Sequence, residues 1–290
     1  MSDFILDHEL IIRASAFLGI FALMALWEVA APRRQRLIPR LQRWSANLGI
    51  VVLYTLLLRL IFPAAAVGMA AFAASQGWGL FNYLEWPFWL ELIGAIVLLD
   101  LVIYLQHVMV HAVPVLWRLH RVHHADPEYD LTTGARFHPI EIIISMLIKM
   151  ITIAALGPPL VAVVLFEVIL NGMAMFNHAN IKLPAQLDHW LRWLVVTPDM
   201  HRVHHSVEPD ETNSNFGFNL SIWDRLMGTY RAQPRLGQVE MDIGIASLRD
   251  PQITTSLMGM LRIPFINTHD IYAINQRDWD TRPGQGDTRS

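Results

Sequence analysis

The sequence predicts an all-α integral membrane protein, a bundle of about four transmembrane segments with a cytosolic helical cap. Apolar residues make up 53% of the chain and charged residues 16%, against about 45–50% and about 25% in soluble domains. The apolar residues gather in four stretches that reach the length of roughly 20 residues needed to cross a bilayer. We expect the clustered histidines described below to lie in this cap.

The four apolar stretches cover residues 10–30, 48–74, 89–111 and 142–176. The second contains Arg59 and Pro63, so we expect it to kink or to cross only partly. Gly157-Pro158-Pro159 interrupts the fourth, and proline ends a helix because it lacks the backbone N–H and restricts the preceding residue. We therefore predict two short helices that enter and leave the membrane on one side, with a single kinked span as the alternative.

The loop after the first stretch carries five arginines and no acidic residue: Arg33, Arg34, Arg36, Arg40 and Arg43. The positive-inside rule places this loop in the cytoplasm, here taken as the inner side of a bacterial cytoplasmic membrane. The third stretch then returns the chain to the cytoplasm at His111. If residues 142–176 form a hairpin, everything after His178 is cytoplasmic too, and all histidine motifs share one side of the membrane.

The absence of cysteine, the net charge and the N-terminal residues exclude several kinds of protein. It has no cysteine, which excludes disulfides, iron–sulfur clusters and thiolate-ligated metals. Its net charge of −3 comes without a basic stripe, so no nucleic-acid partner is expected. The N-terminus carries acidic residues instead of the positive region of a signal peptide, and we expect it to remain in the mature protein.

The motif His-Arg-Val-His-His occurs twice, at residues 120–124 and 201–205, and an i,i+4 pair precedes it at residues 107 and 111. Helical residues three or four apart share one face, so each motif can direct two or three imidazoles into one space. The histidines of these motifs are His107, His111, His120, His123, His124, His201, His204 and His205. His178 is a plausible ninth.

Such a number of imidazoles indicates a site for two metal ions. Imidazole suits iron, zinc, copper and nickel rather than magnesium or calcium. Eight or nine ligands exceed the six of an octahedral ion, so two ions with four or five nitrogens each fit better. Packing does not explain the crowding, because neutral buried imidazoles need hydrogen-bond partners. The isolated His8, His189 and His269 are interpreted as capping or interfacial side chains.

Two further polar residues are candidates for supporting roles. Asp100, Tyr104, His107 and His111 are spaced 4, 3 and 4 residues apart and form one stripe of a helix. An aspartate within a span is costly and usually faces a functional interior. We expect Asp100 to accept the free N–H of a ligating histidine, with an ion pair to Arg59 as the alternative. His138 is equally compatible with a ligand and with a residue that supports one.

These motifs together resemble the fatty acid hydroxylase/sterol desaturase superfamily of membrane-bound di-iron oxygenases. The resemblance covers roughly residues 90–230 and keeps the family's order. Its pieces are Asp100…Tyr104…His107-x3-His111, His120-x2-His123-His124, Arg136-Phe-His-Pro-Ile-Glu141, Asn177-His-Ala-Asn180, Thr197-Pro-Asp-Met-His201-x2-His204-His205, Asn215-Phe-Gly217 and Trp223-Asp-Arg-Leu-Met-Gly-Thr-Tyr230. One departure is Ala174, where some lipid hydroxylases carry a second histidine four residues before the one that matches His178.

The resemblance implies two iron ions, dioxygen as co-substrate, and hydroxylation or desaturation of a lipid. It also implies that residues 223–230 are scaffold near the last histidine motif. Electrons must come from a separate reductase, ferredoxin or small cytochrome, since the chain lacks cysteine, a dinucleotide-binding motif in the right context and a haem-attachment motif. The implied organisation is a transmembrane region at 1–88, a histidine-box di-iron catalytic region at 89–231 and a cytosolic segment at 232–290. That last segment contains a short amphipathic helix near 256–265 and a disordered composition at 280–290.

Two other functions compete with the oxygenase. A zinc-dependent membrane hydrolase usually recruits an aspartate or glutamate as bridging ligand and base, yet neither triple-histidine motif contains one, and Asp199 is the only near candidate. A non-enzymatic metal transporter or sensor would place its ligands near the midplane of the bilayer. Only the His107–His111 pair lies on a span, and it lies at the end of that span.

Overall fold

The computed structural model describes residues 2–84, 86–268 and 272–276, and its secondary structure there is helical. This described part contains no strand, only three isolated bridges. The α-helices are α1 Ser2–Asp7, α2 Glu9–Ala30, α3 Arg40–Ile61, α4 Ala65–Gln76, α5 Leu80–Tyr83, α6 Phe88–Ala112, α7 Pro114–His124, α8 Pro139–Leu156, α9 Leu160–Asn177, α10 Ala185–Leu191, α11 Pro198–His204, α12 Pro209–Thr212, α13 Ile222–Leu226, α14 Gly237–Glu240, α15 Pro251–Thr254 and α16 Leu257–Arg262. Short 3₁₀ helices cover Thr133–Ala135, Ile263–Phe265 and Ile274–Gln276. His269 and residues 280–290, whose roles the sequence analysis predicted, lie outside the described residues.

Within the described part of the chain, five helical segments are long and apolar enough to cross a membrane: Glu9–Ala30, Arg40–Tyr83, Phe88–Ala112, Pro139–Leu156 and Leu160–Asn177. The predicted integral membrane helical bundle is therefore confirmed, with five candidate spans where about four were expected. The difference arises in the predicted hairpin. Its helices α8 and α9 have 18 residues each, or about 27 Å at 1.5 Å per residue, which nearly matches a hydrocarbon core of roughly 30 Å.

Both predicted helix breaks occur at the proline and glycine residues that predicted them. Helix α3 ends at Ile61, before Pro63, and α4 begins at Ala65. Helix α8 ends at Leu156, and Gly157 after it adopts φ = 60° in the left-handed region. A Cβ atom at Gly157 would lie 2.3 Å from the carbonyl oxygen of Trp78, so glycine provides both the conformation and the close approach. The prediction of two helices instead of one kinked span is confirmed.

The histidine motifs all lie at the same end of the bundle, where the chain turns between helices. Proline occupies the first turn of three of the helices that begin there, at Pro114, Pro139 and Pro198. Proline suits that position because its fixed φ fits a helix and its missing N–H would have no partner within the helix. The side chain of Thr197 caps the last of these helices by accepting a hydrogen bond from the backbone N–H of Met200.

A buried ion pair fixes α3 to the loop that follows α7. Arg43 donates from Nε and Nη2 to the carboxylate of Asp126 over 2.9 and 2.7 Å, and from Nη1 to Asp130 over 2.6 Å. All three side chains are fully buried. Removing one partner of such a pair typically costs about 3–5 kcal/mol because a buried charge is left uncompensated. Desolvation opposes ionisation of Asp126, but Arg43 and Arg136 outweigh it and lower the pKa of Asp126 to about 2.

The C-terminal part of the described chain covers α7. Helix α16 and the 3₁₀ helix after it form the short amphipathic helix that the sequence predicts near residues 256–265. Their apolar residues Met260 and Ile263 pack in one buried cluster with Trp117 of α7. Burying these side chains holds the first triple-histidine helix between the bundle and the C-terminal segment.

Candidate metal centre

The structure brings nine of the predicted histidines into two adjacent groups. Within each group the ring nitrogens that could bind a metal all lie within 4.8 Å of one another. The first group contains His107, His111, His120, His124 and His204, and the second contains His123, His178, His201 and His205. All nine side chains are buried.

Each triple-histidine motif contributes to both groups. Helix α7 directs residues 120 and 124 to the first group and residue 123 to the second, whereas α11 directs 204 to the first group and 201 and 205 to the second. At 3.6 residues per turn, positions four apart differ by about 40° around the axis, and a position three along lies about 60° to the other side. Each short helix therefore lies between the two groups and faces both.

Oxygen atoms fix the orientation of six of the imidazoles through Nδ1. The contacts run from His107 to the Phe216 carbonyl at 2.8 Å, from His111 to the Asn213 side chain at 3.1 Å, from His120 to Glu141 at 2.6 Å, from His123 to the Thr133 carbonyl at 3.0 Å, from His178 to the Ala174 carbonyl at 2.8 Å and from His204 to the Ser214 carbonyl at 2.8 Å. Carbonyl and carboxylate oxygens only accept hydrogen bonds, so Nδ1 carries the proton. The lone pair of a neutral ring is then on Nε2.

Some of these Nε2 atoms face each other at distances that suit two ligands of one cation. Nε2 of His107 and Nε2 of His204 are 3.0 Å apart, and both rings already carry their proton on Nδ1. Nε2 of His123 and Nε2 of His178 are in the same situation at 3.2 Å. Two lone pairs at this separation repel each other. A metal ion bound by both nitrogens removes the repulsion, so the arrangement fits a metal in each group.

The remaining ring nitrogens support the same conclusion. Among the described residues, both nitrogens of His124 and of His205 are buried without a hydrogen-bond partner, as is Nε2 of His111. Burial, aided by neighbouring imidazoles, lowers the pKa of His124 and His205 well below its ordinary value. These rings are therefore neutral and can offer lone pairs. Buried polar atoms without partners are rare in proteins, and bound metal ions would give these nitrogens partners.

No carboxylate of the described residues belongs to either group. Asp199, which a two-zinc hydrolase would need as a ligand or base, forms an ion pair with Arg33 at 3.0 Å and another with Arg202. An all-nitrogen donor set suits first-row transition metals such as iron and zinc and does not suit magnesium or calcium.

Glu141, the last residue of the Arg136–Glu141 motif, supports the site although its sequence position alone did not assign it there. Its Oε1 accepts the hydrogen bond from Nδ1 of His120, and both side chains are buried. The available signal was an acidic residue in the first turn of a largely apolar helix. His138, which was considered as ligand or support, lies in neither group. It caps α8 instead, with its Nδ1 accepting from the backbone N–H of Ile140 at 3.3 Å.

Asp100 has different partners from those we expected. Its Oδ2 accepts hydrogen bonds from Nε1 of Trp223 at 2.8 Å and from the backbone N–H of Leu220 at 3.1 Å. Its hydrogen bonds are thus not to a histidine, and Arg59 is exposed to the exterior of the bundle while Asp100 is buried. The segment around Trp223 folds back along α6, and this segment supplies the donors that the buried carboxylate requires.

Asp224 anchors the loop that supports His107. Its carboxylate accepts from the backbone N–H of Phe216 at 2.7 Å and of Gly217 at 2.8 Å. Burial raises the pKa of Asp224 to about 6, although hydrogen bonds from Thr229 and from these two N–H groups act in the other direction. The carbonyl group of Phe216 is in turn the acceptor for His107. Residues 223–230 therefore act as scaffold here.

A cavity of about 240 Å³ opens directly beside the histidines. His107, His120 and His123 form one end of it, and its walls are residues of α2, α3, α6, α8 and α9. Apolar side chains such as Ile103 and Leu170 form much of the lining. Since these helices are the candidate membrane spans, the cavity connects the histidine groups with the apolar part of the bundle.

Comparisons with known proteins match this region of the chain. Residues 92–229 match the model of the family described as fatty acid hydroxylase. The ornithine lipid hydroxylase OlsE of Rhizobium tropici is 27% identical over 264 residues, which cover 86% of this chain and 74% of that protein. Alkylglycerol monooxygenases of Xenopus tropicalis and Danio rerio are 32% and 31% identical over 146 and 159 residues. Those matches cover 50% and 53% of this chain but only 30% and 34% of the two monooxygenases. No solved structure matches the chain.

Proposed function

Because this chain belongs to the fatty acid hydroxylase family through its residues 92–229, we propose that it is a membrane-bound di-iron oxygenase that oxidises a lipid. The family match and the relatives identify the protein as an oxidoreductase that acts on lipids. The proposal adds two iron ions, dioxygen as co-substrate and an external electron donor. The reaction is either hydroxylation of a C–H bond or desaturation of a C–C bond in the lipid.

The observation that carries the proposal is the division of nine buried histidines into groups of five and four, without a carboxylate among the described residues of either group. Hydrolytic two-metal sites usually use a carboxylate as bridging ligand and as base. An imidazole that binds a metal through one nitrogen and donates a hydrogen bond from the other has no lone pair left to act as a base. The division favours two iron ions, one for each group.

When bound, the irons would supply the chemistry that uses dioxygen to remove hydrogen from an unactivated C–H bond. The chain's residues supply orientation and exclusion of water. Oxygen acceptors at Nδ1 hold six of the rings so that Nε2 is available to the metals. Phe137 stacks on His123 with ring centroids 4.6 Å apart, and the nine histidine side chains are themselves buried. A dry, shaped cavity positions the substrate and suppresses side reactions.

We place the site on the cytoplasmic side of the membrane. Arginines from the loop after α2 and from the first turn of α3 are part of the layer that contains the histidines. Arg33 pairs with Asp199, Arg43 pairs with Asp126, and the backbone N–H of Arg33 donates to the carbonyl group of Asn180 at 3.0 Å. The arginine-rich loop and the histidine groups therefore share one end of the bundle, and the positive-inside rule assigns that end to the cytoplasm. A cytoplasmic reductase, ferredoxin or small cytochrome could reach it there.

The test is turnover in membranes supplied with iron, reductant and isotopically labelled dioxygen. Lipids of cells with and without the chain are compared first by mass spectrometry to find the product. Hydroxylation should place labelled oxygen in the product, whereas desaturation should remove two hydrogens and add no label. His204→Ala, which removes a member of the first group, should abolish the product.

The matched control is His189→Ala, because His189 is an exposed histidine on α10 outside both groups. This variant should retain full turnover. A product formed equally well without dioxygen, or one whose new oxygen comes from water, would refute the oxygenase and support the zinc hydrolase instead.

A further inference from the structure

The cavity beside the histidines has a polar side that a plain hydrocarbon tail would not need. Glu141, Ser145 and Lys149 all line it from α8. They are spaced four residues apart, so they form one stripe along the helix. At 1.5 Å rise per residue, Ser145 lies about 6 Å and Lys149 about 12 Å beyond Glu141 along the helix axis. The stripe therefore leads from the partner of His120 into the membrane-spanning part of α8.

The opposite wall presents polar groups to this stripe. Gln106 of α6, the residue immediately before His107, donates from Nε2 to Oγ of Ser145 over 3.0 Å. Lys149 donates to Oε1 of Glu167 on α9 over 2.7 Å, and the other oxygen of that carboxylate lies 2.6 Å from Arg13. All of Gln106, Ser145 and Lys149 line the cavity.

These groups retain hydrogen-bond donors for a ligand. An amide nitrogen carries two hydrogens and an ammonium group three, and the contacts above use one hydrogen of Gln106 and one of Lys149. The single hydrogen of the Ser145 hydroxyl is directed to Oε1 of Gln106 over 3.4 Å, and a ligand oxygen can take the place of this long contact. Polar residues within membrane spans are costly and usually face a functional interior. Here three of them converge on one cavity, and what they jointly offer is a set of donors for an acceptor oxygen.

We propose that this cavity binds the carbonyl-containing linkage of a lipid, an amide or an ester, with Gln106, Ser145 and Lys149 as its hydrogen-bond donors. This inference rests on the proposed oxygenase function and adds the substrate class. The cavity of about 240 Å³ is smaller than the roughly 300–1,000 Å³ of typical ligand pockets, so it takes only part of a lipid. The carbon that is oxidised is then within a few bonds of the linkage, and the remaining chains extend into the bilayer.

The experiment compares two lipids of equal chain length in nanodiscs containing the iron-loaded protein. One is an N-acyl amino acid with a 16-carbon acyl chain, and the other is hexadecane. The amide lipid should have a KM at least about 10-fold lower than hexadecane, and its new oxygen or double bond should lie near the amide. Gln106→Leu and Ser145→Ala should each raise the KM for the amide lipid about 3–10-fold, the usual effect of losing one hydrogen bond, and should spread the products over more positions.

Two further variants separate recognition from folding. Lys149→Met leaves Glu167 paired with Arg13, so it removes a donor from the cavity without leaving a carboxylate alone. It should lower the preference for the amide lipid over hexadecane while the protein stays in the membrane. Thr152→Val is the control, because Thr152 is a polar residue of α8 that bonds to its own helix at Ile148 and does not line the cavity. It should leave both KM and product position unchanged.

A binding measurement distinguishes failure of this inference from failure of the oxygenase function. Native mass spectrometry of the iron-loaded protein should show retention of the amide lipid over hexadecane, and less retention in Gln106→Leu, whether or not turnover occurs. Dioxygen-dependent oxidation of both lipids with equal KM, or binding unaffected by Gln106→Leu and Lys149→Met, would overturn the proposed substrate class and leave the oxygenase intact. Selective binding without dioxygen-dependent oxidation of either lipid would support the cavity assignment and count against the oxygenase.

Discussion

His120 donates a hydrogen bond from Nδ1 to Oε1 of Glu141 over 2.6 Å, and this contact joins the first triple-histidine helix to the first turn of a candidate membrane span. A carboxylate accepts hydrogen bonds only, so His120 presents the lone pair of Nε2 to the first group. The contact uses the one acidic side chain in the first turn of α8. Glu141 thus orients a candidate ligand without belonging to either group.

Replacing Glu141 by glutamine should weaken metal binding. The neutral amide is a poorer acceptor and can also turn its NH₂ group towards His120. Outer partners of metal ligands typically contribute about 10–100-fold to metal affinity or activity. Iron retention during dialysis against a chelator measures the effect. Glu240→Gln, a change at an exposed glutamate far along the chain, is the control. Equal iron retention in both variants would show that Glu141 does not support the ligand.

The two histidine groups should bind one iron each. Elemental analysis of the iron-loaded protein should therefore approach two irons per chain. His111→Ala, in the five-membered group, and His201→Ala, in the four-membered group, should each lower the content towards one, whereas His189→Ala should stay near two. Saturation of the unmodified chain at a single iron would contradict the binuclear site.

Asp100 should matter for folding more than for metal binding. Its change to alanine leaves Nε1 of Trp223 without its acceptor, and an unsatisfied buried donor costs about 1–3 kcal/mol. The unfolding free energy in detergent should fall by that amount, and iron content should remain near two. The loss should be less than additive with Trp223→Phe, since both changes remove the same hydrogen bond. If Asp100→Ala lost as much iron as Glu141→Gln, Asp100 would have the role that the sequence suggested, as a direct support of a histidine ligand.

Single cysteines can test which side of the membrane holds the site, because the chain contains none of its own. Ser206, near the second triple-histidine motif, is buried and would label poorly. Gln76 at the end of α4 and Val239 in α14 are exposed. On intact cells a membrane-impermeant maleimide should label Gln76→Cys, and it should reach Val239→Cys only after permeabilisation. The reverse pattern would place the histidine groups outside the cytoplasm.

The segments around α10 and α13 should contact lipid, although we expected all of the chain after His178 to be cytoplasmic. Trp223 bonds to Asp100 near the middle of α6, and Leu191 packs against the same buried cluster as Phe21 of α2. Trp193 and Leu194 are nevertheless 58% and 66% exposed. Large apolar side chains at this depth are stable when they face the bilayer interface.

A spin label at Leu194→Cys measures this contact. Oxygen, which partitions into lipid, should relax the label more than a water-soluble nickel complex does. The same label at Val239→Cys, on an exposed residue of the C-terminal segment, should show the opposite preference. A label at Leu194→Cys that responds mainly to nickel would show that this surface faces water or a second protein.

The order of the helices could be read from the sequence because each helix depends on local properties. Hydropathy over about 20 residues located the spans, and Pro63 and the Gly157-Pro158-Pro159 turn marked breaks that the backbone of these residues imposes. The number of spans was less certain, since helices of 18 residues lie at the lower limit of what can cross a bilayer. The histidine spacing also showed that two or three imidazoles share each helix face, and hence that a site for more than one ion was to be expected.

Only the tertiary structure decided how those imidazoles are divided. The spacing along α7 shows that His120, His123 and His124 are close together. Which of them lies beside His107 and which beside His178 depends on how separate helices pack. The same holds for Asp100, whose partner Trp223 lies 123 residues further along the chain. A helix fixes the relative directions of its own side chains, so the sequence determined the spans, the breaks and the supply of ligands. The packing between helices is set by the burial of many side chains at once, and it alone determined the two groups, their oxygen acceptors and the cavity beside them.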